Sequence, residues 1–347
     1  MKIVLLHPVK STNTGDLVIL KGAENLLKEA YGEVEFLYQD LDGGLKPQAA
    51  DLFVVSGTPW FWEVCHRSEK YEKLKNVLEL YPKAKKVGLG LGACYPLTTN
   101  TFSKYIYPDP AAVKQGFGDW RLDDIQRIQN RFEKFDLLIT RDRVAQEVLK
   151  TAGLESHETV CPACFAFDVR QNKVLDFKPL LIFQDPAKGV SKVACDKDFS
   201  EQYTSFQMAL HEKFNMDIVT SSPVDCDWLR DVAELKSEID RPYSSWMRNV
   251  PDLLGVLESH NPIVSCRVHD AIPARMMGKL TYILPMDTRY LTAVKVGAMP
   301  MCTYGFSEET IESLDFTWDS LDKVNAITFK KVENDKAFLI EKLRGIL

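Results

Sequence analysis

The sequence predicts an α/β fold of two Rossmann-like domains facing a cleft, and three observations carry that prediction. Short apolar runs alternate with amphipathic helical segments, the alternation restarts after a break near residues 165–179, and 347 residues exceed what one hydrophobic core usually organises. The runs are continuously apolar rather than alternating, as expected of parallel strands buried on both faces. The first domain is expected over residues 1–170, with a helix at 333–347 packed back onto it, and the second over 176–330.

The elements follow in order. KIVLLHP reads as a buried strand, and GDLVILKGAENLLKEAYG carries apolar residues at helical spacing. EVEFLYQ and ADLFVVSG are strands, EKYEKLKNVLELYP an amphipathic helix, and KKVGLGLGA a strand entering a glycine-rich loop. DWRLDDIQRIQNRFEKF is helical, FDLLITRD is a strand with its loop, and RVAQEVLKTAGL is a helix ending at Gly153. In the second unit PLLIFQD, MDIVTSS, PIVSCR and LTYILPMD are strands. Between and around them DFSEQYTSFQMALHEKF, SWMRNVPDLLGVLESH, HDAIPARMMGK and NDKAFLIEKLRGIL are helices.

Composition narrows the function. A chain 45% hydrophobic and 27% charged is ordinary for a globular protein, and its net charge of -6 argues against general nucleic-acid binding. A local basic cleft for a phosphorylated or carboxylated ligand stays compatible with that balance. The apolar stretch at residues 3–6 is too short for a signal-peptide core, and no run approaches a membrane span, so a cytoplasmic protein is expected. The eight cysteines are scattered and read as reduced thiols. Cys161-Pro162-Ala163-Cys164 reads as a strand end and crossover, a structural pair without the second CxxC a zinc site would need.

Ligands of open α/β sheets bind beyond the carboxyl ends of strands, often at helix N-termini, and that rule selects four places. Asn13-Thr14-Gly15-Asp16 opens the first helix; Asp16 is either a general base for an acceptor hydroxyl or a capping residue. The run Trp60-Phe61-Trp62 is either a stacking platform for a sugar or base, or a hinge or dimer contact. The glycines at 88, 90 and 92 let strand and loop pass closely, and downstream Arg141-Asp142 ends an apolar strand, either as a surface ion pair or as a guanidinium at the sheet's carboxyl edge facing the cleft. Last, Arg267 and His269 stand where a strand gives way to a helix. Cations there oppose the helix dipole unless an anion joins them, which favours an anion site over a brace.

Taken together, these pieces resemble the polysaccharide pyruvyl transferases, in which a two-domain GT-B-like fold moves pyruvate from phosphoenolpyruvate onto a sugar. The resemblance rests on Asn13-x-Gly15-Asp16, on Arg141-Asp142, on Ser265-x-Arg267-x-His269 followed by Ala274 and Gly278, and on Asp287-x-Arg289-Tyr290, in family order. It implies that Arg267, Arg141 and Ser265 bind the donor, and that His269 also protonates the enol methylene. Asp16 would be the base, with Asn13, Trp60 and Trp62 on the acceptor side. Phosphoenolpyruvate enters as co-substrate, with no cofactor or metal expected, and self-association is left open. The chain departs from the pattern at Ser56-Gly57-Thr58-Pro59-Trp60 and at Asp270, where a small apolar residue is common. Two other readings compete: a GT-B-like glycosyltransferase using a nucleotide sugar, and a non-catalytic two-domain binding protein.

Overall fold

The computed structural model describes residues 1–7, 13–40, 49–57, 59–62, 69–94, 122–167, 177–185, 197–221, 225, 249–301, 311–312 and 321–347. The first sheet contains β1 (Lys2–Leu6), β2 (Glu35–Gln39), β3 (Leu52–Ser56), β4 (Pro59–Trp62), β5 (Lys85–Cys94), β6 (Leu137–Thr140) and β7 (His157–Glu158). Its strands run parallel in the order β2-β1-β3-β5-β6-β7, with β4 laid against the far end of β5. The second sheet contains β8 (Leu180–Phe183), β9 (Asp217–Thr220), β10 (Ile263–Ser265), β11 (Thr281–Ile283) and β12 (Met299–Pro300). It is also parallel, in the order β12-β11-β10-β8-β9.

Helices cover both sheets: α1 (Thr14–Tyr31), α2 (Glu69–Leu80), α3 (Leu122–Phe132), α4 (Arg143–Thr151), α5 (Lys197–Phe214), α6 (Val250–Glu258), α7 (Val268–Met276), α8 (Tyr290–Val294) and α9 (Leu321–Arg344). Strand pleating explains the cover. In β1, Ile3 and Leu5 face one side and pack with Val18 and Ile19 of α1, while Val4 and Leu6 face the other and pack with residues of α2, α3 and α4. Strand β3 repeats the split, with Leu52 and Val54 on the first side and Phe53 and Val55 on the second.

The two halves share one core. The cluster on the α1 side of the first sheet runs without a break into Leu180, Ile182, Ile263 and Ile283 of the second, through α7 and the 3₁₀ turn Pro162–Phe165. Helix α9 lies along α1, where Tyr31 Oη donates to the Leu343 carbonyl at 2.5 Å and Arg344 Nε donates to the Ala30 carbonyl at 2.9 Å. The Cys161–Cys164 segment thus forms a 3₁₀ turn rather than a simple crossover, and both thiols are buried. Burial pushes both thiols above their ordinary pKa, which makes them inert packing groups.

Residues 59–62 form a strand that the sequence did not predict, because β5 is ten residues long and its far end offers a free edge for them. That strand buries Trp60, which is 1% exposed and meets the Phe132 ring edge-on at 6.4 Å between centroids. The expected acceptor platform at Trp60 is therefore corrected to a core contact. The Trp62 side chain lies outside the described residues. Among the described residues, no helix is long and apolar enough to cross a membrane.

Candidate active site

In each sheet the strand order reverses once, between β1 and β3 in the first and between β8 and β10 in the second. Crevices outside the carboxyl ends of strands at such reversals are where α/β folds hold ligands. The two crevices open on one pocket. Asn13 and Gly15 line it from the first half, and Gln184, Arg267, His269, Asp270, Asp287 and Arg289 line it from the second.

Two helix N-termini point into this space. Helix α1 is capped by Asn13, whose side chain accepts from the Gly15 N–H at 3.1 Å. Helix α7 begins just after Arg267, which caps it in extended geometry without a side-chain hydrogen bond. Free N–H groups and aligned peptide dipoles give both ends a partial positive charge. Gly15 is what allows them to meet, since a β-carbon there would stand 2.8 Å from the His269 Cβ.

Three guanidiniums add full charges. Arg141, at the end of β6, is wholly buried, and its Nη1 lies 2.5 Å from the Gly57 carbonyl and 3.0 Å from His269 Nε2. Its Nε is 3.9 Å from Asp142 Oδ2, and Nη2 makes no hydrogen bond among the described residues. A buried cation with unmet donors is costly unless a ligand completes it. The glycine at 92 leaves the space for it, because a β-carbon there would approach the guanidinium within 2.4 Å. Asp142 sets the aim: its carboxylate accepts from the Ala145 N–H at 2.8 Å and the Ala93 N–H at 3.0 Å, tying the start of α4 to the end of β5.

Arg267 is ion-paired with the buried Asp225. Ser265 supports it without facing a ligand: its hydroxyl accepts from the Arg267 N–H at 3.0 Å and donates to the Arg267 carbonyl at 2.8 Å. Arg289 forms a two-pronged pair with Asp287, Nε to Oδ1 at 2.7 Å and Nη2 to Oδ2 at 2.5 Å. Burial opposes its charge, but Asp287 more than compensates and holds the Arg289 pKa above its ordinary value.

Among these charges His269 is neutral. Burial, then Arg141, Arg289, Arg267 and His7 in that order, hold its pKa well below the ordinary histidine value. Because Arg141 can only donate, Nε2 accepts in the 3.0 Å contact, and the ring proton sits on Nδ1. Without a ligand the ring is thus an acceptor, whereas the resemblance gives it an acid's role.

The structure therefore sets Asn13, Arg267 and His269 on the lining of one pocket, with Arg141 buried behind His269 and Ser265 behind Arg267. Asp16 is half-buried in the first turn of α1, beside the buried His7 that ends β1. Three groups at or beside the pocket escaped prediction. His7 stood at the end of the first apolar run but carried no pattern of its own. Asp225 lies in a stretch without a motif. Asp270 was visible only as a departure from the family pattern.

A family model described as polysaccharide pyruvyl transferase matches residues 13–287. No curated protein matches the sequence. Among solved structures, the Neisseria meningitidis UDP-GlcNAc 2-epimerase bound to UDP-GlcNAc is similar at 11% identity and a TM-score of 0.55, over 99% of each chain. The putative UDP-N-acetylglucosamine 2-epimerase of Listeria monocytogenes has 11% identity and a TM-score of 0.51, over 99% of this chain and 94% of its own. Anabaena HepE in complex with UDP has 11% identity and a TM-score of 0.50, over 99% of this chain and 100% of its own. Identities this low show a shared GT-B-like fold and nothing about the ligand. The family match spans both crevices and the pocket residues from Asn13 to Asp287, with Arg289 just beyond its end, and on it the chain belongs to the polysaccharide pyruvyl transferase family.

Proposed function

We propose that the protein transfers pyruvate from phosphoenolpyruvate to hydroxyls of a saccharide or glycoconjugate, forming a ketal. One observation supports this most: Arg267, Arg289 and two helix N-termini converge on a pocket whose histidine is neutral, with the buried Arg141 guanidinium directly behind that histidine. A ligand that carries both a phosphate and a carboxylate suits so many donors.

In the reaction a proton adds to the methylene carbon, an acceptor hydroxyl attacks the neighbouring carbon, phosphate departs, and a second hydroxyl closes the ketal. Arg141 and Arg267 stabilise the charge that collects on the departing phosphate. The donor's negative charge offsets the guanidiniums that suppress the His269 pKa, so the bound complex lets that ring carry a proton. Asp16, beside His7, is the base for the acceptor hydroxyl, which places the acceptor on the half formed by residues 1–170 and 333–347. The donor then belongs to residues 176–330, with Arg141 reaching across. The reading needs no metal or cofactor and keeps the protein in the cytoplasm, where the four buried thiols among the described residues stay reduced.

Phosphorus NMR of the protein with phosphoenolpyruvate and a panel of glycans tests the reaction. Inorganic phosphate should appear only with an acceptor, and that glycan should gain the mass of ketal-linked pyruvate. Phosphate release that never depends on a glycan would refute transfer. The shared fold with UDP-sugar enzymes gives the nucleotide-sugar reading its one support, and UDP release from a UDP-sugar under the same conditions would favour it.

A further inference from the structure

Behind Arg267 the pocket wall contains a group that ketal transfer does not use. Asp270 is the third residue of α7, and its side chain is completely buried. Ser221 faces it without a well-formed hydrogen bond, and neither carboxylate oxygen is hydrogen-bonded among the described residues. The charges around it conflict. Arg267 favours its ionised form, whereas Asp225, already paired with Arg267, opposes it. His269 precedes it on the same helix, and Arg289 and Arg141 approach that histidine from α8 and β6. An ionised carboxylate in this position has only Ser221 and the already paired Arg267 to favour it among the described residues, beside a space built for anions.

We propose that Asp270 makes anion capture proton-linked: it takes up a proton as the donor anion binds, and its neutral carboxyl then lines the site without repelling the ligand. The proposal rests on the anion-site reading and not on the identity of the donor. Burial already pushes the free Asp270 pKa up to about 6, so at neutral pH the group is mostly ionised and has a proton to gain. A bound anion raises that pKa further, and linkage requires affinity to tighten as pH falls.

Calorimetric titration with sulfate, which keeps its charge across this range, isolates the effect. Sulfate should bind the wild-type protein roughly five- to tenfold tighter at pH 6 than at pH 7.5, with proton uptake visible as a buffer-dependent heat. Asp270→Asn should weaken that dependence while binding at pH 7.5 at least as tightly as wild type; His269→Gln removes only the proton that the histidine gains in the bound complex and should leave the Asp270 share, and the double variant should show neither. If Asp270→Asn keeps the full pH dependence, or if wild-type sulfate affinity does not change with pH, Asp270 is a packing residue and the proposal fails. Phosphoenolpyruvate titrated in parallel separates the two readings: affinity no better than sulfate's counts against the donor assignment and leaves the Asp270 result standing. Absence of binding by both anions at pH 6 overturns both.

Discussion

At the scale of single residues, buried charge and close packing make opposite predictions that can be measured. Asp270 has its pKa raised by burial, so folding favours its protonated form. Its contribution to stability is whole below the unfolded carboxyl value and declines as pH rises through about 6. Asp270→Asn should therefore raise stability at pH 7.5, by on the order of 1–3 kcal/mol, and leave it nearly unchanged at pH 4. Urea denaturation at the two pH values checks this; equal effects at both would mean that the carboxyl is not strained. Gly92→Ala acts through sterics. The added carbon would meet the Arg141 guanidinium and push it off its aim, so anion affinity should fall about tenfold or more, the equivalent of ~1.4 kcal/mol. Unchanged phosphoenolpyruvate affinity in that variant would show that Arg141 does not touch the donor.

At the scale of elements, helix ends build the site. Asn13→Ala removes the α1 cap, at a cost of about 1 kcal/mol, and frees an N–H end that the pocket relies on. Both the melting temperature and anion affinity should drop; a drop in stability alone would confine Asn13 to capping. Most of this level was readable from the sequence. Continuous apolar runs marked β1, β3, β5 and β6, whereas the α1 cap that was weighed at Asp16 falls to Asn13, with Asp16 inside the first turn. What escaped depends on partners distant in sequence. Strand β4 exists because the end of β5 was free to pair, so Trp60 is buried where its local sequence suggested a ligand platform. Helix α9 begins at Leu321, upstream of the segment whose periodicity stood out. Arg289 was quoted as part of a motif, but its place beside the anion pocket appears only once α7 and α8 are packed together.

At the scale of the whole molecule, the pocket sits where two sheets present their order reversals to each other across a shared core. Contacts between the halves are both polar and apolar. Lys295 pairs with Glu158 and donates to the Thr159 carbonyl at 2.9 Å, and the apolar core runs on from α1 into the second sheet. A ligand bound between the halves should stabilise both at once. At a hundred times its dissociation constant, phosphoenolpyruvate should add about 2.7 kcal/mol, in a single cooperative transition. Added salt should weaken this effect, because mobile ions screen the attraction between the guanidiniums and the anion.

The central claim, that the charged pocket holds phosphoenolpyruvate, is tested most directly by calorimetric binding of that ligand to wild-type protein and to Arg141→Gln, with UDP-GlcNAc as the comparison. The account predicts saturable binding of phosphoenolpyruvate, loss of about tenfold or more in Arg141→Gln, and no comparable binding of UDP-GlcNAc. Tight binding of UDP-GlcNAc with no heat from phosphoenolpyruvate would contradict it.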